Sequence, residues 1–199
     1  MWVLLIATMF TVLGLLNFGQ RVPELKEGEA VELILGPEYP EKVHPLLKSA
    51  QKRLWLAVYV ASYHEDRTFS IQNKFFQTLV ERYKKGVDVR VILDESYDWD
   101  SAKNRPSKKR STKNDAVFQY LKNNGVPVFM DSYDQIMHGK FVVIDDLWIV
   151  LGSTNWTYSA LSKNVEVSTI IKNREINQQM EEFFQKLWNQ SEKGQIFLF

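Results

Sequence analysis

The 199 residues contain no cysteine. That absence excludes disulfides, thiolate metal sites, cysteine nucleophiles and lipid attachment through a thiol, while leaving the compartment open. Histidine is almost as scarce, with three in the chain (His44, His64 and His138), so a histidine-rich metal site within one copy is not expected. An excess of charge of either sign is missing too: 25 basic and 24 acidic residues leave a formal net charge of +1. The total is silent about an anionic partner, and any electrostatic signal has to be local. Apolar material is plentiful, with 45% hydrophobic and 13% aromatic residues, enough at this length for one compact domain with a sizeable core.

Charge is absent altogether from "WVLLIATMFTVLGLLNF", residues 2–18, and the first charged side chain is Arg21. This is about the minimum length for a membrane-spanning helix. It has neither the basic start nor the small-x-small site of a cleaved signal peptide. Residues 1–19 therefore read as an uncleaved hydrophobic anchor helix, with a cleaved signal segment or a buried core helix as alternatives. Such a segment predicts a membrane-associated protein, or an exported one, with its domain on the extracytoplasmic side. Residues 20–30, polar with a Pro and a Gly, read as a linker to a folded domain over 31–199.

Within that domain strands and helices alternate. "VELIL" is a strand closed by Gly36-Pro37, followed by a helix reaching Leu46 to Lys52 and a strand in "RLWLAVYVAS". Ile71, Phe75, Phe76, Leu79, Val80 and Tyr83 recur at helical spacing before Gly86, and "VDVRVIL" is again a strand. A second round gives a helix from Asp115 to Asn123, then strands in "VPVFM", "GKFVVID", "LWIVLG" and "VEVSTII". A long helix from about Asn173 aligns Ile176, Met180, Phe183, Phe184, Leu187 and Trp188. This order predicts an α/β fold with a mixed sheet covered by helices on both faces.

Three apolar strands carry polar pairs two residues apart. Side chains at that spacing share a face, so His138 and Lys140 project together, as do Ser153 and Asn155 after "LWIVL", and Asn164 and Glu166 at the start of "VEVSTII". Sequential strands are neighbours in a sheet about two-thirds of the time, which would gather these groups at one end. Lysine, amide and hydroxyl donors bind phosphoryl oxygens. An imidazole can attack phosphorus, and a carboxylate can orient it. His138 is the candidate nucleophile and Glu166 its orienting acid. Asp145 falls at the opposite parity and is expected to pair with backbone or a basic side chain outside the pocket. Taken singly, a histidine in an apolar strand is ordinarily a satisfied core residue and Gly-Ser-x-Asn ordinarily a turn; the joint recurrence argues for a site.

His138-x-Lys140, four residues, Asp145, six residues, then Gly152-Ser153-x-Asn155 resembles the signature of the phospholipase D superfamily, with Asn164-x-Glu166 where that family places its supporting acid. The chain looks most like the small endonuclease-like members that carry one motif. His44 and His64 are followed at plus two by Leu46 and Asp66, so no second His-x-Lys occurs. The resemblance implies a phospholipase D-like catalytic domain acting on phosphodiesters through a phosphohistidine, without metal or cofactor. His138, Lys140, Asn155 and Glu166 are then catalytic, and Asp145, Gly152, Ser153 and Asn164 supporting. Because the chemistry of the family uses two histidines, it also implies a two-fold homodimer with both copies of His138 facing across the axis.

The substrate is not given by the motif. "SAKNRPSKKRSTKN", residues 101–114, carries Lys103, Arg105, Lys108, Lys109, Arg110 and Lys113 with no acid, and reads as a flexible loop that is either simply solvated or a phosphate-binding arm. Tyr97, Trp99 and Tyr133 are candidates for stacking on unpaired bases, with ordinary packing as the competing reading. A nuclease acting on DNA in preference to RNA is the first expectation. A phospholipase D-type lipid hydrolase or phosphatidyltransferase is the second, and a non-catalytic nucleic-acid-binding module the third.

Overall fold

The computed structural model describes residues 28, 30–95, 97–100, 105–110, 112–132 and 135–194, with the backbone alone for 97–100 and 105–110. The hydrophobic run at 2–18 and most of the linker lie outside the described residues. Among the described residues no helix is long and apolar enough to cross a membrane.

A seven-stranded mixed sheet organises the domain. Its strands are β1 (Ala30–Leu35), β2 (Arg53–Val58), β3 (Asp88–Leu93), β6 (Val128–Met130), β7 (Lys140–Ile144), β8 (Trp148–Gly152) and β9 (Val167–Lys172). They lie in the order β1-β9-β8-β7-β2-β3-β6. Strands β2, β3 and β6 run parallel, and the other pairings are antiparallel. Central strands must be apolar on both faces, and β2 and β7 meet this by alternation. Leu54, Leu56, Val58, Val142 and Ile144 face a core built with α1 (Tyr39–Ser49), α2 (Ile71–Lys84) and α3 (Asp115–Asn123). Trp55, Ala57, Phe141 and Val143 face Phe184, Leu187 and Trp188 of the C-terminal helix, Arg174–Lys193. Burial of each such large side chain contributes about 1.5–3 kcal/mol.

A short helix α4 (Tyr158–Ser162) precedes β9, so the C-terminal helix is α5. Asn173 caps α5 by accepting from the Ile176 amide at 2.8 Å, and Gly194 ends it in the left-handed conformation. Helix α1 stops at Ser49 rather than running to Lys52. The amides of Gln51, Lys52 and Arg53 instead donate to the Asp145 carboxylate at 2.7–3.2 Å, which turns the chain into β2.

One sequence expectation is overturned. The basic segment is not a loop throughout: β4 (Tyr97–Asp100) and β5 (Arg105–Arg110) form an antiparallel ribbon separate from the main sheet. Its register sets Asp100 opposite Arg105, Tyr97 opposite Arg110 and Trp99 opposite Pro106. Pro106 is tolerated because both strands of a two-stranded ribbon are edges.

Gly152, at the end of β8, leaves no room for a side chain against β9. A Cβ there would lie 2.2 Å from Ser168 Oγ and 2.4 Å from Ser168 Cα, so no larger residue fits without moving backbone. Gly152→Ala should lower unfolding free energy by at least the roughly 1–3 kcal/mol typical of overpacking. Urea denaturation checks this, and a wild-type midpoint would contradict so close a crossing.

Candidate active site

Strands β7, β8 and β9 are consecutive neighbours, and the polar pairs fall at or just outside their ends on one edge of the sheet. Val58 pairs with Lys140, Phe141 with Leu151, and Gly152 with Ser168. The carboxyl ends of the parallel strands β2 and β3 therefore open onto the same edge, where ligands of α/β sheets usually bind. Strand β9 starts two residues later than the apolar pattern suggests, at Val167, so Glu166 lies on the turn into it.

His138 packs on Tyr59, with ring centroids 4.5 Å apart and planes tilted by 59°. The same phenol ring has the Lys140 ammonium 4.9 Å and the Lys113 ammonium 3.8 Å from its centroid, distances at which cation–π attraction operates. Lys140 also donates to the His138 carbonyl at 2.6 Å. Asn155 is set by its neighbour Trp156, which is anchored in the core and bridges to Ala61. Its Oδ1 accepts from the Val60 amide at 3.1 Å, while its Nδ2 has no partner among the described residues and is positioned to donate to a ligand.

Glu166 is held by Asn164, whose Nδ2 donates to Oε1 at 3.0 Å, and by Ser153, whose hydroxyl donates to Oε2. Ser153 Oγ in turn accepts from the Val167 amide at 3.0 Å. No hydrogen bond joins Glu166 to His138 within the chain, unlike the direct contact that the sequence suggested; the carboxylate is engaged from its own side of the sheet. Asp145 lies at the far end of β2 and β7 with φ +50°, outside the pocket, its carboxylate on backbone amides.

Four site residues escaped the sequence reading: Tyr59, Asp94, Asn114 and Asp131. Asp94 is 1% exposed; its Oδ1 accepts from the Met137 amide at 2.8 Å and its Oδ2 pairs with Lys113 at 2.7 Å. Asn114 accepts from the Ala61 amide at 2.8 Å and donates to the Tyr59 and Asp94 carbonyls at 2.9 and 2.8 Å, binding the ends of β2 and β3 together. Asp131 accepts from the Glu95 amide at 2.7 Å, and burial, reinforced by the charges of Asp94 and Glu95, pushes its carboxyl up to about 7. The available signal was position: an acid directly after an apolar parallel strand, as in "VILD". Lys113 had been grouped with the phosphate-binding arm, but it is paired inside the site. Arg105, Lys108, Lys109 and Arg110 belong to the ribbon by their backbone. Lys103 and Tyr133 lie outside the described residues, as do the side chains of Tyr97 and Trp99.

Around His138 and Lys140 the field disfavours added protons. Partial burial lowers the His138 pKa, and the Lys140 and Lys113 charges lower it further against the opposing pull of Asp94. Burial likewise lowers the Lys140 pKa, partly offset by Glu166 and Asp94. The imidazole is thereby kept neutral, the form that can attack, near pH 7.

A family model described as a cardiolipin synthase, PLD-like domain matches residues 43–188. The mitochondrial cardiolipin hydrolase of Xenopus tropicalis is 30% identical over 145 residues, covering 73% of this chain and 59% of that protein. Cardiolipin synthase B of Escherichia coli (strain K12) is 30% identical over 105 residues, covering 53% of this chain and 23% of that protein. Among solved structures, the phospholipase D family member Nuc from Salmonella typhimurium superposes with a TM-score of 0.63 at 27% identity, covering 81% of this chain and 95% of that one. With His138, Lys140, Ser153 and Asn155 gathered at one sheet edge and the family model spanning most of the described domain, the chain belongs to the phospholipase D superfamily. It spans about half the length of the curated cardiolipin hydrolases it matches.

Replacing Lys140 by Met should raise the titration midpoint of His138, because an ammonium that opposes protonation is gone. The midpoint should stay below the ordinary histidine value of about 6.5, since burial remains. Ring-proton NMR across pH 4–9 reads both, and an unmoved midpoint would remove Lys140 as a cause.

Proposed function

We propose that the protein is a metal-independent phosphodiesterase that hydrolyses nucleic acid, DNA in preference to RNA, as a two-fold homodimer. The observation that carries this reading is where the basic ribbon is rooted. Strand β4 leaves just after Asp94 and Glu95, and the chain returns from β5 to Lys113 and Asn114, both in the site. The ribbon's backbone thus starts and ends beside the pocket, and in this proposal its lysines and arginines neutralise backbone phosphates on either side of the scissile one.

In the proposed reaction the neutral His138 attacks phosphorus, forming a P–N bond as the P–O bond to one nucleoside breaks. The leaving oxygen takes a proton from the His138 imidazolium of a second copy, a form that the negative charge of the bound phosphate favours, and the neutral imidazole left behind then deprotonates the water that hydrolyses the phosphohistidine and restores His138. Lys140 and the free Nδ2 of Asn155 donate to the non-bridging oxygens as charge builds on them. Glu166 is not in contact with its own His138, so in the dimer each Glu166 is assigned to orient the imidazole of the other copy. Attachment to a membrane through residues 2–18 is part of the same proposal and suits a nuclease that meets DNA outside the cytoplasm.

A second reading, hydrolysis or exchange of phospholipid headgroups, draws on the names of the curated relatives and on one surface feature. Val165 and Val167 flank Glu166 and are 98% and 53% exposed, and Leu33 and Leu35 of β1 are exposed on the adjoining strand. An apolar rim of this kind beside a phosphodiester site would suit a bilayer.

Incubation of the full chain with single-stranded and plasmid DNA in excess EDTA tests the first reading. Wild type should cleave, His138→Ala should lose several powers of ten, and Asn155→Ala about 10²–10³. Hydrolysis of phospholipid vesicles with no DNA cleavage would transfer the function to the second reading. A fully active monomer would contradict the shared site.

Replacing Lys108, Lys109 and Arg110 by Gln should weaken DNA binding and flatten the slope of log K against log salt by nearly one for each lost phosphate contact. An unchanged slope would mean that the ribbon does not touch the strand.

A further inference from the structure

Two cations reach the pocket from different parts of the chain. Lys140 opens β7, two residues after His138, and Lys113 lies between β5 and α3. Their ammonium groups are 4.9 and 3.8 Å from the centroid of the same Tyr59 ring, so the two nitrogens are no farther apart than those distances end to end. Burial apart, both charges oppose protonation of His138, and Lys113 opposes that of Lys140. Like charges this close repel, and an anion bound beside them relieves the repulsion.

We propose that Lys113 holds the phosphate next to the scissile one, so that the site binds two consecutive phosphates of the strand being cut, the reacting one on Lys140 and Asn155 and its neighbour on Lys113. The proposal rests on the nuclease reading above and adds a second binding position to it. Lys140 donates to the His138 carbonyl at 2.6 Å, which keeps its charge with the reacting group. Lys113 is fixed separately, by Asp94 at 2.7 Å, and Asp94 is itself held by the Met137 amide. An ammonium tied in this way stays where the fold puts it, and a cation already ordered loses little entropy when it binds.

The ion pair faces the pocket with its positive end. The Asp94 side chain is 0% exposed, whereas 22% of the Lys113 side chain remains accessible, so a ligand meets the ammonium and not the carboxylate. Strand β5, with Lys108, Lys109 and Arg110 at its end, stops just before Lys113. Lys113 therefore stands in the chain between the ribbon and the site, where a strand running from one to the other would pass. Negative charge repeats at every nucleotide of such a strand. A lipid with one phosphodiester group would fill the first position only.

Small chromogenic esters isolate this contact from the rest of the strand. The full-length protein in EDTA should be given thymidine 5′-(p-nitrophenyl phosphate) with and without a 3′-phosphate, the 3′-(p-nitrophenyl phosphate) with and without a 5′-phosphate, and single-stranded DNA. In the series whose added phosphate falls on the Lys113 side, wild type should show a kcat/KM about tenfold higher with that phosphate, the order of one charge-assisted contact. Lys113→Gln should bring the ratio close to one, and Lys113→Arg, which keeps the cation, should retain most of it. A wild-type ratio near one in both series, or a ratio that Lys113→Gln leaves unchanged, overturns the second position, and DNA cleavage then leaves the nuclease reading standing. DNA left uncut while the ratio persists overturns the nuclease reading and spares the two-phosphate site. No cleavage of any ester or of DNA overturns both. The wild-type ratios decide even if Lys113→Gln, which strips Asp94 of its partner, fails to fold.

Discussion

The carboxylate of Asp94 holds the site together. It is buried at the carboxyl end of β3, and a buried charge is tolerated only when its partners are in place. One oxygen accepts from the amide of Met137, the residue before His138, and the other pairs with Lys113, where the chain returns from the basic ribbon. Asn114, next in sequence, then clamps the Tyr59 and Asp94 carbonyls and the Ala61 amide. One acid therefore sets the approach to His138 and the anchorage of the ribbon, and the residue after its lysine partner ties the ends of β2 and β3. Breaking such a pair by removing one partner typically costs about 3–5 kcal/mol, so the loss would reach the whole edge of the sheet.

The same acid tunes the chemistry. A phosphodiester pocket needs positive charge, but ammonium groups close to an imidazole also make it a weaker base. Lys140 and Lys113 lower the His138 pKa, and Asp94 partly restores it. The result is a pocket with two ammonium groups in which the His138 imidazole is kept neutral. Tyr59 joins the two demands, since its π-face meets the imidazole on one hand and both ammonium groups on the other. That contact needs no further charge, which is why an aromatic residue serves here better than a second carboxylate.

The sheet, its covering helices and the motif positions were legible from the chain because they follow local rules. Alternation by two placed His138 with Lys140, and helical spacing placed Phe184, Leu187 and Trp188 on one stripe. Tyr59, Asp94 and Asn114 were not legible, since each acts through partners tens of residues away that only the parallel pairing of β2 with β3 brings close. The ribbon was misread for a related reason. "RPSKKR" has no apolar alternation of its own, and it is a strand because "YDWD" lies opposite. Lys113 illustrates the limit: composition assigns it to a run of cations, whereas burial assigns it to Asp94.

Glu166 gives the argument its last step. Its carboxylate is saturated on one side by Ser153 and Asn164, and it raises the charge preference of Lys140 without reaching His138. Under the proposed reaction, a carboxylate so firmly oriented while its own imidazole packs elsewhere, on Tyr59, would orient the imidazole of a second copy. The lone His-x-Lys in the sequence points the same way, because a displacement at phosphorus needs both an attacking group and a proton donor on the opposite side. In the proposed dimer a second copy related by a two-fold axis would supply both contacts with the same residues.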